Sequence, residues 1–327
     1  MKIVIQKYGG TSLKNLNAKS KILTHIKKCI NEGNSLVIVV SAIGRKGDPY
    51  ATDTLIEQLE QINSNINPKK KDLIMSCGET ISTAIFAHLL DKENIPSEPL
   101  IGFQAGILTN NSFNCAEIIN IDTSTIMKNI KKGKVVVVAG FQGITKDNEI
   151  TTLGRGGSDT TAVALGGYLG AERVDIFTDV AGVGIIDPTM VPYTKYIKNI
   201  TYSHMYNLAS NGVKVIHPKA VLIGQKFNIP IRITSVESDT TGTLVSNTTQ
   251  FEKVIGIAVK QENENKIFSI FTNEKHTKNV LKDLDGFLSD NKKNILDIQL
   301  SNGKISIVVG TDKTSHLAQC LYNHLFD

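Results

Sequence analysis

Apolar and polar positions along this chain follow two periods. Residues 3–6 and 36–40 are short β-branched runs that predict buried strands. Between them Ile22, Leu23, Ile26 and Ile30 recur at helical spacing and mark one face of a helix. Leu55, Ile56, Leu59 and Ile62 predict another helix, starting near Thr52-Asp53. Pro68 suits a first helical turn and opens the next one, expected to run through Leu90. Residues 135–138 and 174–177 are strand-like again. Helical stretches are expected at about 158–169, 203–210 and 218–226, and residues 230–234 and 242–245 read as strands. Such alternation over roughly 245 residues predicts an α/β layer sandwich with a mostly parallel sheet.

The pattern changes near residue 250, where Asn and Lys become frequent and glycines few. A strand at 267–271 is followed by a helix bearing Val280, Leu281, Leu284 and Leu288. Strands at 295–300 and 304–309 and a helix at 317–325 complete a βαββα order. That order predicts an α+β module of the ferredoxin-like kind, to which residues 254–260 could add a strand.

Composition narrows the class. Of 327 residues, 41% are apolar and 20% charged, which fits a globular chain and excludes disordered or collagen-like ones. No apolar run is read as approaching the roughly 18–20 residues of a membrane span, so no membrane partner is expected. The N-terminus enters a strand without a signal-peptide layout. The net charge, 36 − 31 = +5, is mild. Lysine groups at Lys27-Lys28, Lys69 to Lys71, Lys131-Lys132 and Lys292-Lys293 are scattered and read as solvated helix faces, so no nucleic-acid partner is expected. Cys29, Cys77, Cys115 and Cys320 show no CxxC or zinc spacing and are expected as buried or free thiols in the cytoplasm.

Five constellations can carry chemistry. Lys7-Tyr8-Gly9-Gly10-Thr11-Ser12 follows a strand and precedes a helix. Its glycines let backbone N–H groups approach an anion, and Lys7 adds a full charge, so it reads as a phosphate cradle or simply a tight turn. Gly154-Arg155-Gly156-Gly157-Ser158-Asp159 is a second glycine loop before a helix. Arg155 can grip a carboxylate, and Ser158 or Asp159 can instead cap the helix. Glu79 in Ser76-Cys77-Gly78-Glu79 sits among apolar neighbours, where a carboxylate needs a substrate ammonium or an internal Lys or Arg. Thr178-Asp179 ends a buried strand, the usual place for ligands in open α/β sheets or for a capping Asp. Lys214 and Val215, before His217-Pro218, offer a lysine for phosphate or for solvent.

Taken in this order, these residues resemble the amino acid kinase family, and within it the aspartate kinases. The resemblance rests on Val4 through Ser12, Val40-Ser41-Ala42, Ser76 through Ser82, Ala139-Gly140-Phe141-Gln142-Gly143, Leu153 through Thr161, Thr178 through Val183 and Val213 through Pro218. It implies a three-layer, carbamate kinase-like sandwich over residues 1–248, with an aspartate-binding lobe at about 1–140 and an ATP-binding lobe at about 141–248. It further implies a single ACT-like domain over 249–327, since the length leaves room for one such unit.

The implied reaction is ATP plus L-aspartate to ADP plus 4-phospho-L-aspartate, which opens the lysine, threonine and methionine branch. A glutamate, acetylglutamate or UMP kinase and a catalytically weak regulatory subunit are the alternatives. Lys7 and Asp159 are the implied catalytic pair. ATP would meet Lys7, Tyr8, Gly9, Gly10, Ser41, Ser158, Thr178, Asp179, Gly184, Thr189, Lys214 and Val215. Aspartate would meet Thr52, Glu79, Arg155, Gly156, Gly157 and Ser158, with Glu79 on the ammonium and Arg155 on the α-carboxylate. Mg²⁺ would arrive on ATP, with no dedicated protein metal site, and a homodimer would form through the ACT-like domain. Two positions depart from the family pattern: Gly184 replaces a Tyr, and Thr189 replaces the Arg of Asp-Pro-Arg. Losing one charge-assisted phosphate contact costs roughly 1.5–3 kcal/mol, and Lys195 is a nearby substitute. The turn after Phe271 lacks glycine, which leaves lysine or threonine feedback an open question and favours dimerisation as the module's role.

Overall fold

The structure is a computed structural model that describes residues 1–238, 240–248, 252–310 and 314–326. The expected boundary after residue 248 falls at 249–251, outside the described residues. The chain divides into two compact units, Met1–Asp179 with Lys219–Thr240, and Val180–Pro218 with Thr241–Asp327.

The first unit contains strands β1 (Lys2–Tyr8), β2 (Asn34–Val40), β3 (Ser97–Leu100), β4 (Ile107–Thr109), β5 (Ile118–Ile121), β6 (Val135–Ala139), β7 (Gln142–Ile144), β8 (Ile150–Thr152) and β9 (Arg173–Thr178), with Ile231–Ser235 as β11. Its helices are α1 (Gly10–Lys14), α2 (Leu16–Asn31), α3 (Thr52–Glu60), α4 (Pro68–Lys92), α5 (Ser124–Ile130) and α6 (Gly157–Leu169). Its main sheet runs in the order β11-β9-β1-β2-β6-β3, every pair parallel. Strands β1, β2 and β6 are near-continuous apolar runs because both faces are covered.

Period-2 alternation sorts β1 between the two faces. Val4 and Tyr8 join the core formed with Ile22 and Ile26 of α2 and Phe86 and Leu90 of α4. Ile5 and Lys7 face the other way, toward α6, where a Cβ on Gly166 would lie 2.5 Å from Val174 and 3.7 Å from Ile5. A smaller sheet, in the order β5-β4-β7-β8, stands beside these layers.

The second unit holds β10 (Asn199–Thr201) paired parallel with β12 (Thr243–Ser246), and helix α7 (Tyr202–Ser210). Helix α8 (Pro218–Phe227) starts at the division between the units. The C-terminal part is an antiparallel sheet of β13 (Val254–Glu262), β14 (Asn265–Thr272), β15 (Ile295–Ser301) and β16 (Lys304–Gly310), ordered β13-β14-β16-β15. Helices α9 (Thr277–Asp283), α10 (Asp285–Asp290) and α11 (Thr314–Phe326) supply Val280, Phe287, Leu317 and Leu321 to its core, joined by Leu284 between α9 and α10. The fold is therefore the expected mixed α/β one, with a large parallel sheet and a separate antiparallel sheet.

Three expectations change. The helix expected across Val280 to Leu288 is interrupted at Leu284, just before Asp285-Gly286, two weak helix formers. Strands β3, β4, β5, β7, β8 and β10 span three or four residues each, too few to display a period. Helix α4 is, by length and composition, apolar enough to cross a membrane, although no such run was read from the sequence. Half of its most apolar window is buried, and the buried face carries Asp72, Ser76, Glu79, Ser82 and Thr83, as in a polar-studded core helix.

Candidate active site

The carboxyl ends of the parallel strands bring the sequence motifs together. The pairings Tyr8 with Val40, Tyr8 with Phe177 and Val40 with Ala139 align the ends of β1, β2, β6 and β9. The loops that follow carry Lys7 to Gly10, Ser41 to Gly44, Gly140-Phe141 and Thr178-Asp179. Ligand sites of open α/β sheets form at such an edge.

Glycines set how closely these loops approach. A Cβ on Gly10 would stand 2.0 Å from the Ala42 carbonyl oxygen, and one on Gly78, in the middle of α4, 2.7 Å from the Ala42 side chain. The Ala42 segment is thus held between two glycines. It is pinned by Ser41 N–H donating to the Tyr8 carbonyl (3.2 Å) and Gly44 N–H to the Gly10 carbonyl (3.1 Å). Gly154 and Gly156 adopt φ of +74° and +69°, a left-handed backbone that side chains resist.

These loops and α3 and α4 line an open cavity of about 1060 Å³. Lys7, Gly10, Ser41, Thr52, Glu79, Arg155, Gly156, Gly157, Ser158 and Asp159 all line it. Most of the expected phosphate and carboxylate ligands therefore share one space within the first unit.

An ion pair and a buried carboxyl group define it. Lys7 Nζ lies 2.8 Å from Asp159 Oδ1, with both side chains largely buried. Helix α6 has Gly156 as its N-cap and no side-chain cap, so Asp159 serves the ion pair and does not cap the helix. Glu79 is 3% exposed. Its Oε1 accepts from the Ala42 N–H at 3.1 Å, while Oε2 is buried without a hydrogen-bond partner. Burial pushes this carboxyl up to about 8, against the pull of the Ala42 N–H. Among the described residues no Lys or Arg pairs with Glu79, so the internal-partner reading does not hold. A cationic group entering the cavity would satisfy Oε2.

Other candidates stand elsewhere. The side chain of Tyr8, a member of the expected nucleotide set, turns away from the loop: its ring is fully buried, stacks on Phe177 at 4.7 Å, and its hydroxyl donates to Gln6 Oε1 at 2.9 Å. Alternation sends it into the core opposite Lys7, so only its main chain reaches the loop. Gly9 is open, with Lys7 Nζ 3.9 Å from a would-be Cβ. Helix α1 behind it has five residues, too few for a substantial macrodipole. Thr178 donates to Asp179 Oδ1 at 3.1 Å at the end of β9, and the Arg45 guanidinium is 3.8 Å from Asp179.

Gly184, Thr189, Lys214 and Val215 belong to the second unit. A Cβ on Gly184 would meet the Ile186 carbonyl at 2.6 Å, so this backbone leaves no room for the larger family residue. The Thr189 N–H and hydroxyl both donate to Asp187 Oδ1, at 2.8 and 2.7 Å, closing a local turn. Lys214 is exposed.

Phe141 was missed as a site residue. It lines the cavity with φ +70°, where a bulky residue is strained by about 1–3 kcal/mol. Its N–H donates to Thr161 Oγ1 at 3.0 Å and its carbonyl accepts from Leu153 N–H at 2.9 Å, which over-determines the geometry. Among the described residues, no group of three or more His, Cys, Asp or Glu side chains is arranged to hold a metal.

The glycine loops, buried ion pair and parallel-sheet edge define an α/β protein with a cleft chemically suited to phosphoryl or carboxylate groups. Residues 2–235 match the amino acid kinase family, and the chain belongs to that family. It is 47% identical over 247 residues to aspartokinase 1 of Bacillus subtilis (strain 168), covering 76% of this chain and 61% of that protein. It is 40% identical over 265 residues to the aspartokinase of Geobacillus stearothermophilus, covering 80% and 64%. It is also similar to the crystal structure of E. coli aspartokinase III in complex with aspartate and ADP, with a TM-score of 0.66 and 25% identity over 99% of this chain and 83% of that one. The chain thus spans less than two thirds of the length of the curated relatives it matches.

Proposed function

We propose that this protein is an ATP-dependent aspartate kinase that transfers the γ-phosphoryl group to the side-chain carboxylate of L-aspartate, giving 4-phospho-L-aspartate. The observation that carries the reading is one cavity holding the Lys7–Asp159 pair, the unsatisfied Glu79 oxygen and Arg155. A carboxylate is already an anionic nucleophile and needs no general base, so the work is positioning and charge neutralisation. Lys7 and the Gly9 and Gly10 N–H groups meet the transferring phosphoryl. Glu79 takes the α-ammonium, Arg155 the α-carboxylate by paired hydrogen bonds, and Thr52, Gly156, Gly157 and Ser158 shape the space between.

Ser41 and Ser158 extend the phosphate cradle. By the family resemblance Thr178 and Asp179 of the first unit, and separately Gly184, Thr189, Lys214 and Val215 of the second, are assigned to the nucleotide. Mg²⁺ would arrive on the nucleotide and would supply neutralisation of phosphate charge. Asp159, beside Lys7, would be the one side chain able to offer such an ion a hard oxygen.

We assign residues 1–248 to the catalytic part, with the aspartate lobe at about 1–140 and the ATP lobe at about 141–248, and residues 249–327 to an ACT-like module. The family match over 2–235 supports a catalytic part that ends before the C-terminal module. The module's role is homodimer formation. Leu296, Ile298 and Leu300 of edge strand β15 are 61%, 37% and 52% exposed and alternate on one face. The enzyme works in the cytoplasm at the head of lysine and threonine synthesis, in keeping with four free cysteines.

Hydroxamate trapping of acyl phosphate with Mg-ATP and a panel of acids tests the reaction. Product from aspartate is expected. Product only from glutamate or acetylglutamate would replace the substrate assignment. Tight Mg-ATP binding without turnover would favour a regulatory subunit, the reading motivated by Gly184 and Thr189.

A further inference from the structure

Helix α4 carries a second buried carboxyl group, Asp72, for which phosphoryl transfer has no direct use. Asp72 is 0% exposed and lies seven residues before Glu79 on the same helix face. Both of its oxygens are fully engaged. Oδ1 accepts from the Asn114 N–H at 3.1 Å and the Thr152 hydroxyl at 2.5 Å. Oδ2 accepts from the Asn114 N–H at 2.9 Å and the Thr152 N–H at 3.1 Å.

One partner lines the cavity and the other leads into its glycine loop. Asn114 lines it, in a left-handed conformation with φ +66°. Thr152 stands two residues before Gly154-Arg155-Gly156. The two segments also bond each other, Ala116 N–H donating to the Thr152 carbonyl at 2.9 Å. A Cβ on Gly154 would come within 3.1 Å of the Asn114 carbonyl. An apolar side chain would fill this buried position at lower desolvation cost. What the carboxylate supplies instead is register between one helix and two loops.

We infer that Asp72 is a positioning residue: it sets the Gly154–Ser158 loop, and with it the Arg155 guanidinium, at a fixed height relative to Glu79. One helix then carries the group for one end of the substrate and the clamp that places the group for the other. This rests on the reading of the cavity as an aspartate site.

The test compares the wild type with Asp72→Asn, which turns one acceptor into a donor facing N–H groups, and Thr152→Val, which removes only the hydroxyl bond. In Asp72→Asn, amide exchange is expected to accelerate at Asn114, Thr152 and residues 154–158 while the rest of the unit keeps its protection. The KM for aspartate rises roughly ten- to hundredfold, and the KM for ATP stays within about twofold. Thr152→Val shifts the same quantities less. Unchanged exchange at Asn114 and Thr152, or aspartate and ATP KM values rising in step, would overturn the inference. Should Asp72→Asn not fold, an unchanged aspartate KM in Thr152→Val overturns it. Absence of acyl phosphate from the wild type would instead sink the aspartate reading, and the exchange comparison would still decide whether Asp72 holds the loops.

Discussion

The cavity of the first unit and the antiparallel sheet of the second are built to opposite rules. Around the cavity the chain accepts local cost: Glu79 and Asp72 are buried carboxyl groups, Phe141 is left-handed, and Gly78, a poor helix former, sits in the middle of a long helix. The C-terminal sheet accepts little of this. Its core is Phe268, Ile270, Ile305, Ile307, Leu317 and Leu321, packed conventionally. Its uncovered apolar residues lie on edge strand β15, where Leu296, Ile298 and Leu300 stay exposed. Cost inside a concave site points to a bound ligand, whereas uncovered apolar surface on a sheet edge points to association.

The contrast can be broken by substitution. Lys7→Ala is expected to lower kcat by about 10³-fold or more while the fold persists, because the lost charge acts mainly on the transferring phosphoryl. Near-normal kcat in a steady-state assay would remove Lys7 from the chemistry. Glu79→Gln comes next, with the KM for aspartate raised roughly ten- to hundredfold. It also carries a pH signature. The folded-state value of about 8 lies above that of an unfolded Glu, so the folded protein holds the extra proton between about pH 4.5 and 8. The Glu79 contribution to stability is full below that window and is lost as pH rises through it. Denaturant midpoints at pH 5, 7 and 9 should shift progressively in favour of Glu79→Gln; a difference independent of pH would contradict the buried, unpaired carboxyl.

A smaller effect is expected in the second unit. Ile298→Lys places a charge on the β15 face and should weaken self-association by about tenfold with kcat per chain little changed. Sedimentation over a concentration series would show it, and identical association would remove that face from the interface. The mildest substitution is Thr189→Arg, which restores the family residue and should tighten Mg-ATP binding by up to about tenfold. Calorimetry showing no gain would mean that the local turn with Asp187 excludes position 189 from the nucleotide.

Legibility of the site varied with the reach of each signal. Lys7-Tyr8-Gly9-Gly10 and the glycine loop at 154–157 were readable because their chemistry is written in neighbouring residues. Glu79 could be singled out by its apolar neighbours, yet its partner could not be chosen. Asp72 carried no sequence signal: its partners Asn114 and Thr152 are 42 and 80 residues away. Phe141 was visible within a motif, but its backbone sign was not.

The sequence by itself determined the alternating strands and helices, the family and most residues of the cavity, because periodicity and loop chemistry are local properties. Only the tertiary structure decided that Tyr8 turns into the core while Lys7 faces Asp159. It also left one oxygen of Glu79 without a partner and gave Asp72 its hold on two distant loops. Each depends on which face of a strand or helix meets another element, and close packing settles that only once the layers are assembled.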